Sequence, residues 1–186
     1  MELQMLKDRI PDYAKDLRLN LDAVISRSSL TPSLAMGAAL AAAFAAKSPA
    51  LVVALQDESV LEPVQARAAL TAAALMGMNN VWYPFVEMAG DPELRDLRPE
   101  LRMNAYANHG GVDRSSFELY ALAASIVGKC EFCIRSHYAL LRANGFTTQQ
   151  LRDVGRIAAV VNAAAQVLAV EGVAAQSVAP PEGVAA

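Results

Sequence analysis

The sequence predicts an all-α fold, a helical bundle, from three observations. Alanine supplies 37 of the 186 residues, whereas threonine supplies 4 and isoleucine 5. Alanine loses no side-chain entropy in a helix, and the β-branched residues that favour strands are scarce. Apolar residues also recur at helical spacing along most of the chain, and capping residues divide it into segments of helix length.

The N-terminal part of the chain predicts two helices. Thr31 and Pro32 are a cap and a first-turn proline for an Ala-rich helix that ends near Lys47. The segment before it is amphipathic, because apolar residues share one helical face. These residues are Tyr13, Leu17, Leu21, Val24 and Ile25.

The middle of the chain predicts one long helix and a linker. Pro63 begins the helix, which covers about residues 64–82. Residues 84–99 contain three prolines and a glycine and start with Pro84, so we expect a linker that holds short helical pieces.

The C-terminal part predicts three helices. Asp113 is placed to cap the first, with Val112 and Phe117 as a hydrophobic staple. A break at residues 128–129 precedes a second helix, which starts near Cys130 and ends at the Asn-Gly pair that follows Ala143.

The last helix has its own start signal. Thr147 and Gln150 form a capping box, and the helix continues to about Val170 with Gly155 as an interruption. We therefore expect one domain over residues 1–175 and a frayed tail over 176–186.

A faint internal repeat relates residues of about 30–83 to residues of about 112–170. Thr31 and Lys47 have the same spacing as Asp113 and Lys129. Such matches also arise by chance in an Ala-rich chain, so both a single unit and two related helical halves stay open. In the second case the cysteines belong to the second half.

Composition and charge argue against several functions. The formal net charge is −3, the pI is near 5.4 and there is no cluster of Lys or Arg, which disfavours a nucleic-acid partner. The apolar run at 34–46 is shorter than the about 20 residues of a membrane span. Residues 1–10 are charged and lack the apolar centre of a secretory signal, so we expect a cytoplasmic protein, in which a disulfide tends to be transient and catalytic.

The chemistry is concentrated between Glu118 and His137. This segment holds the only two cysteines of the chain, Cys130 and Cys133. Positions 130, 133 and 137 form one stripe on the predicted helix, so the two thiols and the imidazole share a face. Glu118 lies on the preceding helix and reaches that face only if the two helices pack together.

Four interpretations of these residues are open. The thiols can be inert core residues. Cys130, Cys133 and His137 can bind a catalytic zinc ion with Glu118 as a fourth ligand, although no second cysteine pair is present for a structural site. A thioredoxin-type dithiol needs a strand-to-helix junction, which a helical chain does not offer. The interpretation that explains the residue types best is a helical redox dithiol with its own base.

The redox interpretation gives each residue a task. A thiolate can attack a peroxide O–O bond, but a free thiol with a pKa of about 8.5 is only a few per cent ionised at neutral pH. His137 can take the proton, and Glu118 can orient the imidazole. A second thiol then condenses with the sulfenic acid to form a disulfide. Spacing favours Cys133 as the attacking thiol only slightly, because Cys130 is nearer the helix N-terminus, whose dipole also lowers a thiol pKa.

No glycine-rich phosphate loop follows a strand, so we expect no bound cofactor. Electrons then arrive from a partner by thiol–disulfide exchange. A metal-dependent helical enzyme that uses Cys130, Cys133 and His137, and a non-enzymatic binding protein of the same fold, are the alternatives.

At these residues the chain resembles the alkylhydroperoxidase D (AhpD) family of the carboxymuconolactone decarboxylase-like superfamily. Three further stretches, at residues 11–16, 76–80 and 97–104, also resemble that family. Their sequences are PDYAKD, MGMNN and LRPELRMN. The resemblance extends from about Leu6 to Val170.

The resemblance implies an all-helical protomer, a homotrimer and lipoyl-dependent reduction of alkyl hydroperoxides. It makes Cys133 the peroxidatic thiol and Cys130 the resolving thiol, with Glu118 and His137 as a proton relay. It also implies that a dihydrolipoyl group reduces the disulfide, carried on the acyltransferase subunit of a 2-oxoacid dehydrogenase complex.

One position departs from the family pattern. The family has histidine immediately before the second cysteine, where this chain has Phe132. An apolar ring replaces a polar one, and Glu131 adds a negative charge that would raise a thiol pKa if the two groups approach. We therefore predict slower turnover than in a relative with histidine.

Other residues are assigned structural roles. Asn79 and Asn80 lie within an apolar helix and need hydrogen-bond partners. His109 is interpreted as a loop residue. The remaining residues are interpreted as packing in the core or between subunits: Met76, Met78, Trp82, Tyr83 and Phe85.

Overall fold

The computed structural model describes residues 3–58 and 60–178, with side chains described as far as residue 172. Within these ranges the chain forms ten α-helices, two short 3₁₀ turns and no strand, so the predicted all-α fold is confirmed. The helices are α1 Leu3–Asp8, α2 Lys15–Ser26, α3 Pro32–Ala45, α4 Pro49–Asp57, α5 Pro63–Ala89, α6 Pro92–Asp96, α7 Asn104–Ala107, α8 Arg114–Gly128, α9 Glu131–Ala143 and α10 Thr148–Val178.

The predicted caps fix where the main helices begin. The Thr31 side chain accepts a hydrogen bond from the backbone three residues later, at 3.4 Å, and Asp113 does the same at 3.0 Å. At α10 the capping box is complete, because Thr147 and Gln150 each bond the backbone N–H of the other. Each contact satisfies an N–H group that the first turn would leave unpaired.

Helices α3 and α8 form the centre of the bundle, and α5 and α10 each pack against both. Every residue of α3 from Ala35 to Ala43 is buried, as is every residue of α8 from Phe117 to Ser125. Small side chains allow this close approach: a Cβ atom on Gly37 would lie 2.6 Å from Cζ of Tyr120. Helix α8, which carries Glu118, is therefore held rigidly in the core.

Three predicted features of the helices are wrong. Helix α5 continues past Pro84 to Ala89 and ends at Gly90, whose φ of 65° is left-handed. A proline removes only one helical N–H, and a 27-residue helix anchored on the core tolerates that loss.

Helix α10 runs without interruption through Gly155 to Val178, because that glycine keeps helical geometry. Helix α10 thus includes the first three residues of the predicted tail, 176–178, and residues 179–186 lie outside the described residues, so the frayed tail stays a prediction. Tyr13 is exposed rather than on the buried face, and its hydroxyl donates to Glu171 at 2.8 Å.

The two segments of the internal repeat have equivalent turns. Lys47 and Lys129 are both left-handed, with φ of 57° and 55°. The next residue in each case, Ser48 or Cys130, caps the following helix through its side chain. These equivalences are what a duplication would produce, but the repeat and the single domain stay predictions.

Among the described helices, α10 is long and apolar enough between Thr148 and Gly172 to cross a bilayer, judged by length and composition alone. In an apolar stretch of 18 residues within this span, 44% of the residues are buried inside the bundle. One face of α10 packs on α2, α3 and α8, as expected for the core helix of a helical bundle.

Candidate active site

The two cysteines lie at the turn between α8 and α9. Lys129 adopts the left-handed conformation that ends α8, and Cys130 then caps α9. Cys130 and Cys133 form a disulfide with their Cα atoms 5.3 Å apart, and the backbone N–H of Cys133 donates to Cys130 Sγ at 3.2 Å. Both residues are buried, with Cys130 0% and Cys133 3% exposed. The turn thus holds both sulfur atoms within bonding reach of each other.

Glu118 and His137 are brought together by the packing of α8 on α9. His137 Nδ1 lies 2.6 Å from Glu118 Oε2, and both side chains are buried. The other ring nitrogen, Nε2, lies 3.3 Å from Met76 Sδ on α5. The structure therefore places His137 on the face of α9 that carries Cys133, and Glu118 of α8 contacts that face.

The second oxygen of Glu118 has partners of its own. The Tyr106 hydroxyl donates to Oε1, and Arg114 Nε lies 3.7 Å from the same oxygen. Burial acts to raise the pKa of Glu118, but the hydrogen bonds from His137 and Tyr106 and the charges of His137 and Arg114 outweigh it and hold that pKa below its usual value. Glu118 is therefore ionised at neutral pH.

A cavity of about 370 Å³ gives access to this cluster. Cys133 and His137 both line it, whereas Cys130 and Glu118 do not. Cys130 Sγ instead faces the backbone carbonyl of Asn79 at 3.9 Å. Of the two sulfur atoms, only that of Cys133 belongs to a residue on the cavity wall.

The zinc interpretation finds no support in the geometry. Each oxygen of Glu118 is occupied, by His137 on one side and Tyr106 on the other, so Glu118 is not free to be a fourth ligand. Across the part of the chain that the structure describes, no group of three or more His, Cys, Asp or Glu residues is arranged to hold a metal ion.

Comparison with known proteins identifies the family. Residues 92–176 match the carboxymuconolactone decarboxylase family. The alkyl hydroperoxide reductase AhpD of Rhodospirillum centenum is 44% identical over 173 residues, which are 92% of each chain. The chain belongs to the AhpD family. The AhpD of Maricaulis maris is 44% identical over 92% of this chain and 99% of its own, and that of Coxiella burnetii is 42% identical over 91% and 98%.

Three residues around the AhpD-type dithiol were not predicted to have a role there. Tyr106 reaches Glu118 from a short helix, and nothing in the sequence pattern marks it. Met76 contacts the imidazole of His137, although its sequence position was interpreted as core packing. Asn79 lines the cavity and turns its carbonyl towards Cys130. The signals for both residues were their place in the MGMNN stretch that resembles the family and, for Asn79, a polar side chain within an apolar helix.

Phe132, the departure from the AhpD pattern, lies at the edge of the site. It is 53% exposed and stacks on Tyr83 with ring centroids 4.2 Å apart. This ring pair lines the cavity and also a neighbouring groove of about 840 Å³ that contains Trp82. Tyr83 and Trp82 are therefore wall residues rather than core residues of this chain.

Two further charged or polar residues near this AhpD-type site lie outside the cavity wall. The carboxylate of Glu131 pairs with Arg135 at 2.6 Å on the exposed surface of α9. His109 lies in the 3₁₀ turn before α8, as expected for a loop residue, with its ring 6.2 Å from that of Tyr106.

Proposed function

We propose that this protein is an antioxidant alkyl hydroperoxide reductase that works through a Cys133–Cys130 dithiol cycle. One observation carries the proposal. Cys133, which is bonded to Cys130, lines a cavity together with His137, and the imidazole of His137 contacts the buried carboxylate of Glu118. Membership of the AhpD family supports the same function.

The first half of the cycle consumes the peroxide. The thiolate of Cys133 attacks the terminal oxygen of the hydroperoxide, the O–O bond breaks, and an alkoxide leaves. Sulfur is oxidised to sulfenic acid, and the alkoxide takes a proton to become an alcohol. His137 accepts the thiol proton and returns it to the alkoxide, directly or through one water molecule. Its Nδ1 is held by Glu118, so Nε2 is the nitrogen that handles this proton.

The second half forms the disulfide. The thiol of Cys130 attacks the sulfenic acid of Cys133, and an S–S bond forms as water leaves. The turn that joins α8 to α9 holds the two residues close enough for this step without a rearrangement of the helices.

The cycle closes by reduction of the disulfide by a partner, since no cofactor is part of this proposal. A dihydrolipoyl group supplies two electrons and two protons by thiol–disulfide exchange and becomes an oxidised lipoyl group. We assign this group to the lipoylated acyltransferase subunit of a 2-oxoacid dehydrogenase complex, in the cytoplasm.

We also propose the homotrimer that the resemblance implies. An apolar stripe follows the outer face of α5, where Val81 is 71%, Phe85 50% and Met88 80% exposed. Exposed apolar stripes of this kind are typical of surfaces that a second subunit covers. Light scattering of the purified protein tests this part: a trimer mass that falls on Phe85→Glu is expected, and a monomer mass for the unchanged protein would contradict it.

A count of free thiols tests the reaction. The protein is reduced with dihydrolipoamide, freed of reductant and treated with one equivalent of cumene hydroperoxide. The unchanged protein should lose both thiols, Cys130→Ser should give a dimedone-trapped sulfenic acid on Cys133, and Cys133→Ser should lose none. If the unchanged protein loses no thiol, the non-enzymatic binding protein becomes the better interpretation.

A further inference from the structure

The Tyr106 hydroxyl donates a hydrogen bond to the Glu118 oxygen that His137 does not contact. Tyr106 lies on the short helix α7, which precedes α8 in the chain. Its hydroxyl donates to Oε1 of Glu118, whereas His137 Nδ1 lies 2.6 Å from Oε2. Its ring is fixed by edge-on contact with Phe117, at a centroid distance of 5.6 Å. Tyr106 also lines the cavity beside Cys133.

We propose that Tyr106 is a positioning residue for the dithiol reaction, acting by fixing the Glu118 carboxylate in the orientation that holds His137. This inference rests on the proposed function. A carboxylate is free to turn about its last side-chain bond, and an ionised carboxylate with no exposed surface needs a donor on each oxygen. Tyr106 supplies the donor that keeps Oε2 directed at the imidazole.

Arg114 does not supply an equivalent constraint. Its Nε lies 3.7 Å from Oε1, beyond hydrogen-bond distance, and its side chain is 58% exposed. Without the Tyr106 hydroxyl, the distant, solvated charge of Arg114 is the only one of these partners left near Oε1. The carboxylate can then turn, and the imidazole loses its fixed orientation.

Electrostatics point in the same direction. The groups that face Glu118 are His137 from α9, Tyr106 from α7 and Arg114 from α8 itself. Burial, together with the hydrogen bond to Glu118 and the charge of that carboxylate, raises the pKa of Tyr106, so its hydroxyl stays a donor at every physiological pH. Removal of this hydroxyl takes away one of the contacts that lower the pKa of Glu118 and leaves burial, which raises it.

The test is Tyr106→Phe, which removes the hydroxyl and keeps the ring. We expect the rate of oxidation of the reduced protein by cumene hydroperoxide to fall about tenfold at pH 7, the size expected for one hydrogen bond to a charged group. We also expect the acid limb of the pH–rate profile to move to higher pH. Tyr13→Phe is the matched control, because it removes a tyrosine–glutamate hydrogen bond at the surface, and it should leave both unchanged.

A double-mutant cycle separates positioning from general damage. If Tyr106 acts through Glu118, Tyr106→Phe should change the rate of a Glu118→Gln protein by less than about twofold. An equal tenfold loss in both backgrounds, or an unchanged rate and pH profile in the single variant, would overturn the inference. Thermal unfolding of each variant should show that the fold is retained.

A second measurement does not depend on peroxide reduction. In a Cys130→Ser background, the rate at which iodoacetamide alkylates Cys133 reports the thiolate directly. Tyr106→Phe should lower the ratio of the rates at pH 5 and pH 8, whereas Tyr13→Phe should not. If the unchanged protein consumes no hydroperoxide, the proposed function fails, and this ratio still decides the role of Tyr106: an unaltered ratio rejects it.

Discussion

His137 Nδ1 and Glu118 Oε2 lie 2.6 Å apart across the α8–α9 hairpin, and both side chains are buried. The contact joins residues that are 19 positions apart in the chain. It commits Nδ1 to the carboxylate, so only Nε2 is left to exchange a proton with a group in the cavity. In the proposed cycle, Nε2 is therefore the nitrogen that exchanges a proton with the thiol.

The first prediction concerns this contact. Glu118→Gln removes the negative charge that stabilises a protonated imidazole, and we expect the rate of hydroperoxide reduction to fall about 100-fold, within the range for general acid–base catalysis. The measurement is the single-turnover rate of thiol oxidation by cumene hydroperoxide.

Glu131→Gln is the matched control for Glu118→Gln. It makes the same chemical change one residue from Cys130, in an exposed ion pair with Arg135. Exposed pairs contribute little energy, so its rate should stay within about twofold of the unchanged protein. A similar loss in both variants would mean that net charge near α9, rather than the His137–Glu118 contact, sets the rate.

The second prediction concerns the departure from the family pattern. Phe132→His places a polar ring on the cavity wall next to Cys133, where it can bond to the leaving oxygen or to a water molecule. We expect the oxidation rate to rise by up to about tenfold, because the added group supplements His137 rather than replacing it. The pH–rate profile of the variant checks this result, and an unchanged rate would show that the ring at this position does not limit turnover.

Sequence spacing was sufficient for the part of the site that lies on one helix. Cys133 and His137 share a face because i and i+4 positions always do in a helix. The contact of that face with Glu118 depended on helix packing, which spacing does not give, and the resemblance to a family supplied it. Tyr106 could not be predicted, because it reaches the site across a loop whose path has no periodic signal.

In the fold, too, features set by local contacts were predicted, and features that depend on packing were not. Caps such as Thr31 and Asp113 marked helix starts correctly, because each satisfies a local backbone group. Pro84 and Gly155 led to predicted helix breaks that do not occur. The free-energy penalty of proline or glycine in a helix is a few kcal/mol or less, and it is outweighed where a long helix is anchored on the core.

The third prediction concerns stability at acid pH. Asp153 on α10 is 1% exposed and accepts hydrogen bonds from the backbone N–H of Ser29 at 2.9 Å and from its hydroxyl at 2.8 Å. Burial acts to raise the pKa of Asp153, but these bonds and those from Arg152 and Arg156 hold it well below its usual value. The ionised carboxylate therefore stabilises the fold above the usual aspartate pKa of about 3.9, and this contribution is lost as the pH falls towards the lower folded-state value.

Asp153→Asn should accordingly reduce the free energy of unfolding by about 1–3 kcal/mol at pH 7. The difference from the unchanged protein should shrink as the pH falls below about 4, where the unfolded carboxyl gains its proton. Urea unfolding at pH 7 and pH 3 measures both values. The exposed Asp96→Asn is the control and should change stability by less than about 0.5 kcal/mol at either pH; a gap for Asp153→Asn that widens in acid would contradict the assignment.

The last prediction compares two helical glycines. A Cβ atom on Gly128 would overlap the amide of Asn80 and lie 2.8 Å from its Cβ, so the Asn80 side chain could not simply rotate away. Gly128→Ala should cost about 1–3 kcal/mol in the free energy of unfolding, because α5 must shift from α8 and the 3.2 Å hydrogen bond from Asn80 to the carbonyl of Ala124 is lost. Gly155 has no atom within 4 Å of the same position, so Gly155→Ala should raise stability by about 0.5–1 kcal/mol through its better helix propensity. Urea unfolding of both variants checks the pair: a Gly128→Ala protein that is more stable than the unchanged protein would mean that helix propensity, and not the α5–α8 contact beside Cys130, decides the effect at Gly128.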